Sequence, residues 1–265
     1  MTGKVYLVGA GPGDPELLTV KAARLLRSAG AVLYDELVTP EILQLANPVA
    51  ELHNVGKRCG TKKITQEEVN FLMAGLASAG LQVVRLKGGD PSIFGRAGEE
   101  IEALRRAGVP YEIVPGVTAA LGAAAAAAIP LTHRRGPAAV IFLAGQRAAN
   151  NQETDWRDFV RSGATLAIYM PGQSYGEIAR RLRTAGLSGE TPCVVVSRAT
   201  TVDQRLHITT VAELPTVPPL PAPSLLIVGE VVRWAAAQGE RFMTPVIEQV
   251  LLQGRELNQP LRPGA

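Results

Sequence analysis

Residues 85–100 read Arg85-Leu-Lys-Gly-Gly-Asp-Pro-Ser-Ile-Phe-Gly-Arg-Ala-Gly-Glu-Glu100, and the chemistry they offer is small-ligand binding. Gly88 and Gly89 have no Cβ, so a ligand can lie on the main chain and meet its amides there. Asp90 adds an acceptor, and Pro91 stiffens the turn by fixing its own φ and restricting Asp90. These groups suit a ligand with donors, such as an amine or a ribose. Taken alone, Gly-Gly-Asp-Pro also reads as an ordinary strand-to-helix turn.

A second loop, Gly9-Ala-Gly-Pro-Gly-Asp14, follows the first apolar run. The nicotinamide fingerprint G-x-G-x-x-G needs a small third residue so that helix and strand can touch. Here that place is taken by Asp14, and Pro12 stiffens the turn. Asp35 closes the next apolar run, where an acidic residue can hold a ribose. Three readings stay open on these residues: a dehydrogenase, a Rossmann-type methyltransferase, or another binder of a small ligand.

The elements that must position these loops alternate between strand and helix. Short apolar runs predict strands over 4–8, 31–34, 81–86, 111–114, 138–143, 165–170, 193–197 and 224–228. Between them, Leu18, Ala22, Leu25 and Ala29 mark a helix that stops at Gly30. Thr65 and Glu68 form a capping box for a second helix that ends at Gly80. Ile101 and Leu104 mark a third, and an alanine-rich helix runs over 118–128 until Ile129-Pro130. Ser174 and Glu177 start another, carrying Ile178 and Leu182. The six alanines 123–128 read as a helix packed hard on a neighbour. Repeated β-α units imply largely parallel sheets covered by helices. The break at 131–137 suggests two α/β domains, 1–131 and 132–241, with a ligand cleft between them. Residues 215–223 form a Pro-rich connection, and 242–265 a tail.

The 265 residues, 46% hydrophobic and 19% charged, suit one large or two modest domains with a proper core. A net charge of +3 with scattered basic residues gives no sign of nucleic-acid binding. Cys59 and Cys193 stand far apart without metal-ligand spacing, which reads as thiols in a reducing compartment and no metal. No signal-peptide pattern opens the chain, and no apolar run nears the roughly 18 to 20 residues that span a bilayer. The expectation is a cytoplasmic protein with no membrane contact.

Six strings carry a family resemblance. Val8-Gly-Ala-Gly-Pro-Gly-Asp-Pro-Glu-Leu-Leu-Thr-Val-Lys-Ala22 is followed by Tyr34-Asp-Glu-Leu-Val38 and Val55-Gly-Lys-Arg58. Then come Val84-Arg-Leu-Lys-Gly-Gly-Asp-Pro91 with Phe94-Gly-Arg-Ala-Gly-Glu-Glu100, Val114-Pro-Gly-Val-Thr-Ala119 and Ile129-Pro-Leu-Thr-His-Arg134. From about residue 5 to residue 232, in order and at matching spacing, the chain resembles the tetrapyrrole (precorrin) methylase family. Phe94-Gly-Arg96 and Thr132-His-Arg134 favour the branch that acts on uroporphyrinogen III over the cobalt-precorrin methylases acting later. Ser92 and Ala97 depart from the pattern, standing where the family usually has an aromatic residue and a glycine.

The resemblance implies two α/β domains with the methyl donor in the cleft between them. It implies methyl transfer from S-adenosylmethionine to carbons 2 and 7 of uroporphyrinogen III, giving precorrin-2 for sirohaem or cobalamin, with S-adenosylhomocysteine as the second product. A homodimer is implied as well. Carried over by position, Pro12, Gly88, Gly89, Asp90, Ile93, Thr118, Ala119, Met170 and Ala199 match donor-binding residues. Asp35 matches the proton acceptor and Lys57 the proton donor. The substrate's eight carboxylates call for cations, and Arg58, Arg96, Arg134 and Arg135 are the candidates. His133 is either a proton relay or a hydrogen-bonded structural histidine. The alternatives are another precorrin or cobalt-precorrin methylase and, remotely, a nicotinamide-dependent oxidoreductase.

Overall fold

A computed structural model describes residues 3–56, 64–145, 154–172 and 175–234. In the first half, β1 (Val5–Gly9), α1 (Val20–Ser28), β2 (Ala31–Tyr34), α2 (Pro40–Leu43) and β3 (Glu51–Asn54) follow in order. They continue into α3 (Gln66–Ser78), β4 (Val83–Lys87), α4 (Ala97–Arg106) and β5 (Tyr111–Val114). The strands form one sheet, β3-β2-β4-β1-β5, in which every neighbouring pair is parallel. Alternation along the strands splits its core between two faces. Val8, Val32, Val84 and Leu86 pack under α1 and α2, while Leu7, Leu33 and Val83 pack with Val69, Met73 and Leu104 of α3 and α4.

The Thr65–Glu68 capping box is present in both halves: Glu68 N–H donates to Thr65 Oγ1 at 3.1 Å, and Thr65 N–H to Glu68 Oε2 at 2.7 Å. β3 and α2 escaped the sequence reading. β3 is a polar, largely exposed edge strand, so it lacks the apolar run that marks the others.

The second half continues with α5 (Ala119–Ala126), β6 (Val140–Ala144), α6 (Arg157–Arg161) and β7 (Thr165–Tyr169). Then come α7 (Gly176–Thr184), β8 (Pro192–Ser197), β9 (Arg205–Thr210) and β10 (Ser224–Val228). Their sheet runs β6-β7-β10-β8-β9. Only β6–β7 is parallel, whereas β7–β10, β10–β8 and β8–β9 are antiparallel, against the expectation of a largely parallel sheet. The cause is local. β9, unseen in the sequence, returns from β8 after residues 198–204, too short a link for a crossover helix, and the proline-rich stretch before β10 supplies none either.

The alanine-rich helix is shorter than its 118–128 pattern. Ala120, Ala123 and Ala124 of α5 pack with Ala167, Val194, Val196, Leu225 and Ile227 of the second sheet. α5 follows the first sheet in the chain, so its small residues join the two halves closely. The opposite face of that sheet packs with α7 through Ile178 and Leu182. Ser174, proposed to start α7, and the tail 242–265 lie outside the described residues.

Candidate ligand cavity and active site

Parallel strands in an open α/β sheet end at a natural ligand crevice, because their connecting loops diverge there. Three such loops meet closely at the carboxyl ends of β1, β4 and β5. A Cβ on Gly9 would lie 2.6 Å from Gly116 Cα and from Gly89 O, and a Cβ on Gly116 2.4 Å from Gly89 O. Gly11 and Gly89 exchange both backbone hydrogen bonds: Gly11 N–H donates to Gly89 O at 3.1 Å, and Gly89 N–H to Gly11 O at 2.7 Å.

This corrects the expectation that the Gly88-Gly89 amides are displayed to a ligand. Gly89 N–H is spent on Gly11, and Gly88 N–H points at Asp35 Oδ2, 3.4 Å away. Asp90 fastens the loop, accepting from Ser92 N–H at 2.8 Å and Gly116 N–H at 3.0 Å. The glycines are needed for close approach of backbones, with Gly89 at a φ of +67°. Asp14 is explained similarly. Its carboxylate caps the short turn at Pro15–Leu17, and its N–H donates 3.1 Å to Thr200 Oγ1 beyond β8.

Over these loops lies a cavity of about 450 Å³. Pro12, Gly88, Gly89, Asp90, Ile93, Thr118, Ala119, Met170 and Ala199, all nine donor candidates, line it together with Asp35 and Arg96. The second sheet supplies the far wall through Tyr169, Met170, Val196, Ala199 and Leu225. Left-handed backbone at non-glycine residues gathers there. Phe94, Arg96 and Met170 have φ of 51°, 56° and 51°, and Arg198 (47°) and Thr200 (65°) flank Ala199. Such strain persists where surrounding structure over-determines it, and it concentrates at functional sites.

The basic candidates divide. Arg96 lines the cavity, but its guanidinium is already paired with Glu99, Nε to Oε1 at 2.7 Å and Nη2 to Oε2 at 2.6 Å. That pairing raises its pKa. Arg134 and Arg135 line a different, more open cavity with Thr132, His133, Pro137, Ala138 and Trp234. There His133 packs at a tilt against Trp234 with ring centroids 4.1 Å apart, and its Nδ1 accepts Arg135 N–H at 3.1 Å. Lys57 and Arg58 lie outside the described residues, although Gly56 and Ile64, on either side of that segment, line the first cavity. Among the described residues, no cluster of His, Cys, Asp and Glu is placed to hold a metal ion.

Three residues at this cavity escaped the sequence reading. Tyr169 accepts Ala120 N–H at 3.1 Å and shares a 2.7 Å hydrogen bond with Thr118 Oγ1; burial pushes its phenol pKa up. Arg85 and Lys87 are charged residues in a fully buried strand, facing α3 and α4 and paired with the buried Glu100. Charges inside an apolar strand were the available signal, because such groups stay buried only when paired.

Fold and site define an α/β protein that holds a small molecule at the carboxyl ends of a parallel sheet, walled by a second, mixed sheet. Residues 4–215 match the tetrapyrrole (corrin/porphyrin) methylase family, and the chain belongs to it. Siroheme synthase 1 of Yersinia enterocolitica is 49% identical over 231 residues, covering 87% of this chain and 49% of that protein. The chain thus spans about half the length of the curated relatives it matches. Among solved structures, the uroporphyrin-III C-methyl transferase of Thermus thermophilus complexed with S-adenyl homocysteine is 44% identical, with a TM-score of 0.77. That match covers 88% of this chain and all of the other. A cobalt precorrin-4 methyltransferase is 33% identical over 86% of this chain and 95% of its own, with a TM-score of 0.78.

Proposed function

We propose that this protein transfers methyl groups from S-adenosylmethionine to carbons 2 and 7 of uroporphyrinogen III, giving precorrin-2. The observation that carries the reading is the single cavity lined by all nine donor-position residues and by Asp35. Its size falls within the range of about 300–1,000 Å³ usual for small-molecule sites. The carboxylates Asp35, Glu36 and Asp90 stand at its rim and walls, suited to a ligand carrying a sulfonium and an amine. The Thermus thermophilus match, more identical than the cobalt precorrin-4 methyltransferase, supports uroporphyrinogen III over a later precorrin.

The donor brings an already activated methyl group, so the protein's task is to hold an electron-rich pyrrole carbon in line with it and to move protons. Asp35 accepts the proton released as the ring is alkylated, and Lys57 returns one. The units 1–131 and 132–241 close the donor site between them. Arg58 and Arg96 take substrate carboxylates at the cavity, and Arg134 and Arg135 take more distant ones. The protein works as a cytoplasmic homodimer. Among the described residues, no helix is long and apolar enough to cross a membrane.

The nicotinamide alternative finds no support in the first loop, where Asp14 caps a turn at the third fingerprint position. Calorimetric titration separates these ligands: S-adenosylmethionine binds once per chain and NAD does not. Tight NAD binding with a silent S-adenosylmethionine titration would overturn the reading.

A further inference from the structure

Three buried charges, Arg85, Lys87 and Glu100, meet at the base of the cavity, with half-buried Asp35 on its wall. Leu33 of β2 pairs in register with Arg85 of β4, and Asp35, just past the end of β2, lines the same cavity as Lys87. Asp35 Oδ2 lies 3.4 Å from the N–H of Gly88, the residue after Lys87, and its charge favours the charged form of the lysine. Lys87 Nζ donates to both oxygens of Glu100, at 2.9 and 3.0 Å, and Arg85 Nε donates to Oε1 at 3.0 Å. Arg85 is further held by the carbonyls of Leu33 and Leu86. Gly95 leaves room for the lysine stem, since a Cβ there would lie 3.2 Å from Lys87 Cε.

With both carboxylates ionised, Arg85, Lys87, Glu100 and Asp35 cancel in pairs. A proton arriving on Asp35 leaves one buried positive charge without a counterpart, a costly state in a poorly solvated site. A guanidinium does not give up its proton, so Arg85 offers no relief. The ammonium does, and burial first, then the charge of Arg85, holds the Lys87 pKa below the ordinary lysine range. Glu100 keeps its Arg85 partner when Lys87 is neutral. Among the described residues, the charged groups nearest Lys87 are Arg85 on its own strand, Glu100 from α4 and Asp35 beyond β2; uncharged Gln66 of α3 donates to Glu100, and Glu36 and Arg96 stand elsewhere on the cavity wall.

We propose that Lys87 releases a proton to cavity water whenever Asp35 accepts one, making Lys87 the positioning partner of Asp35 in proton transfer. The inference rests on the reading of Asp35 as proton acceptor. The step balances: an O–H bond forms on Asp35 with the substrate's proton, and an N–H bond of Lys87 breaks toward water. The lone pair left on Nζ then takes the Asp35 proton through cavity water, so one proton passes from substrate to bulk water per methyl transfer.

The coupling is measured directly on the full chain with ¹⁵N-labelled lysine, following Lys87 Nζ by NMR through a pH titration. Asparagine at position 35 imitates neutral Asp35 and removes the negative neighbour. The Lys87 midpoint therefore falls, by at least about a few tenths of a pH unit, in Asp35→Asn. An unchanged midpoint overturns the proposal. Lys87→Arg supplies an independent arm, because arginine keeps the charge and the Glu100 pairing but cannot release a proton. It is expected to bind S-adenosylmethionine within about twofold of wild type and to lose at least about tenfold in saturated methyl transfer, with a changed pH–rate profile. A Lys87→Arg protein with the wild-type rate and profile overturns the proposal. The NMR arm needs no substrate, so a wild-type protein that fails to methylate uroporphyrinogen III sinks the functional reading while a shifted midpoint still supports the coupling.

Discussion

The phenol of Tyr169 lies 2.7 Å from the hydroxyl of Thr118, joining the end of β7 to the start of α5. Thr118 is the N-cap residue immediately before α5, yet its own side chain makes no capping bond; Tyr169 accepts Ala120 N–H instead. A residue of the second sheet thus completes the helix that follows the first, and Tyr169, Thr118 and Ala119 all line the cavity.

Tyr169→Phe keeps the ring packed between Phe94 and Phe142 and removes only the hydroxyl. The expected loss of stability is about 0.5–1.5 kcal/mol, read from denaturant unfolding. Donor binding weakens several-fold because Thr118 and Ala119 lose their anchor. Calorimetric titration checks this, and an unchanged donor affinity would separate the anchor from the site.

Asp35→Asn keeps the acceptor for Leu37 N–H and removes the charge. Donor affinity should stay near normal while saturated methyl transfer falls roughly 100- to 10,000-fold, the usual range for a lost general base. A ribose-holding Asp35 would show the opposite, with weakened binding and turnover at saturation largely retained.

Gly89→Val places a β-branched residue at a φ of +67°, in the loop that pairs with Gly11. The left-handed backbone costs a side chain about 1–2 kcal/mol. The space around the new Cβ is adequate, the nearest neighbour being Ala119 N at 3.6 Å, so the chain is expected to fold with reduced stability. Donor binding is lost, and circular dichroism alongside titration tests both. A folded variant with normal donor affinity would remove this loop from the site.

Acid stability has a visible source in Glu112 of β5. Hydrogen bonds from Lys21 and then Lys4 hold its pKa down at about 2, against an ordinary 4.5. A carboxyl depressed on folding contributes stability above its unfolded pKa and loses it as pH falls through the folded one. Glu112→Gln should therefore be less stable than wild type near neutral pH and closely similar near pH 2. The group is exposed, so the difference is small and shrinks with added salt. A gap that persists at pH 2 would contradict the assignment.

The parallel sheet was legible mainly through β1, β2 and β4, which are buried on both faces and read as apolar runs between glycine-marked helices, while the polar edge strand β3 was not. The antiparallel half was not. β9 has an irregular burial pattern, and the proline-rich link before β10 gives no sign of strand direction. Of the site, the nine donor positions fell around one cavity, most of them on loops that leave neighbouring strand ends, whereas Arg134 and Arg135 fell on another. Tyr169 has no motif of its own, and its role exists only once β7 is placed beside α5. The glycine loop was legible as a place and misread in its chemistry. Whether an amide is free depends on the partner loop, here Gly11.

Methyl transfer to uroporphyrinogen III defines the proposed activity. Incubating the protein with methyl-labelled S-adenosylmethionine and uroporphyrinogen III, followed by mass analysis of the tetrapyrrole, tests it most directly. The expected product carries two labelled methyl groups and forms together with S-adenosylhomocysteine. Uroporphyrinogen III recovered without label, under conditions where the protein binds the donor or methylates a later corrin precursor, would contradict it.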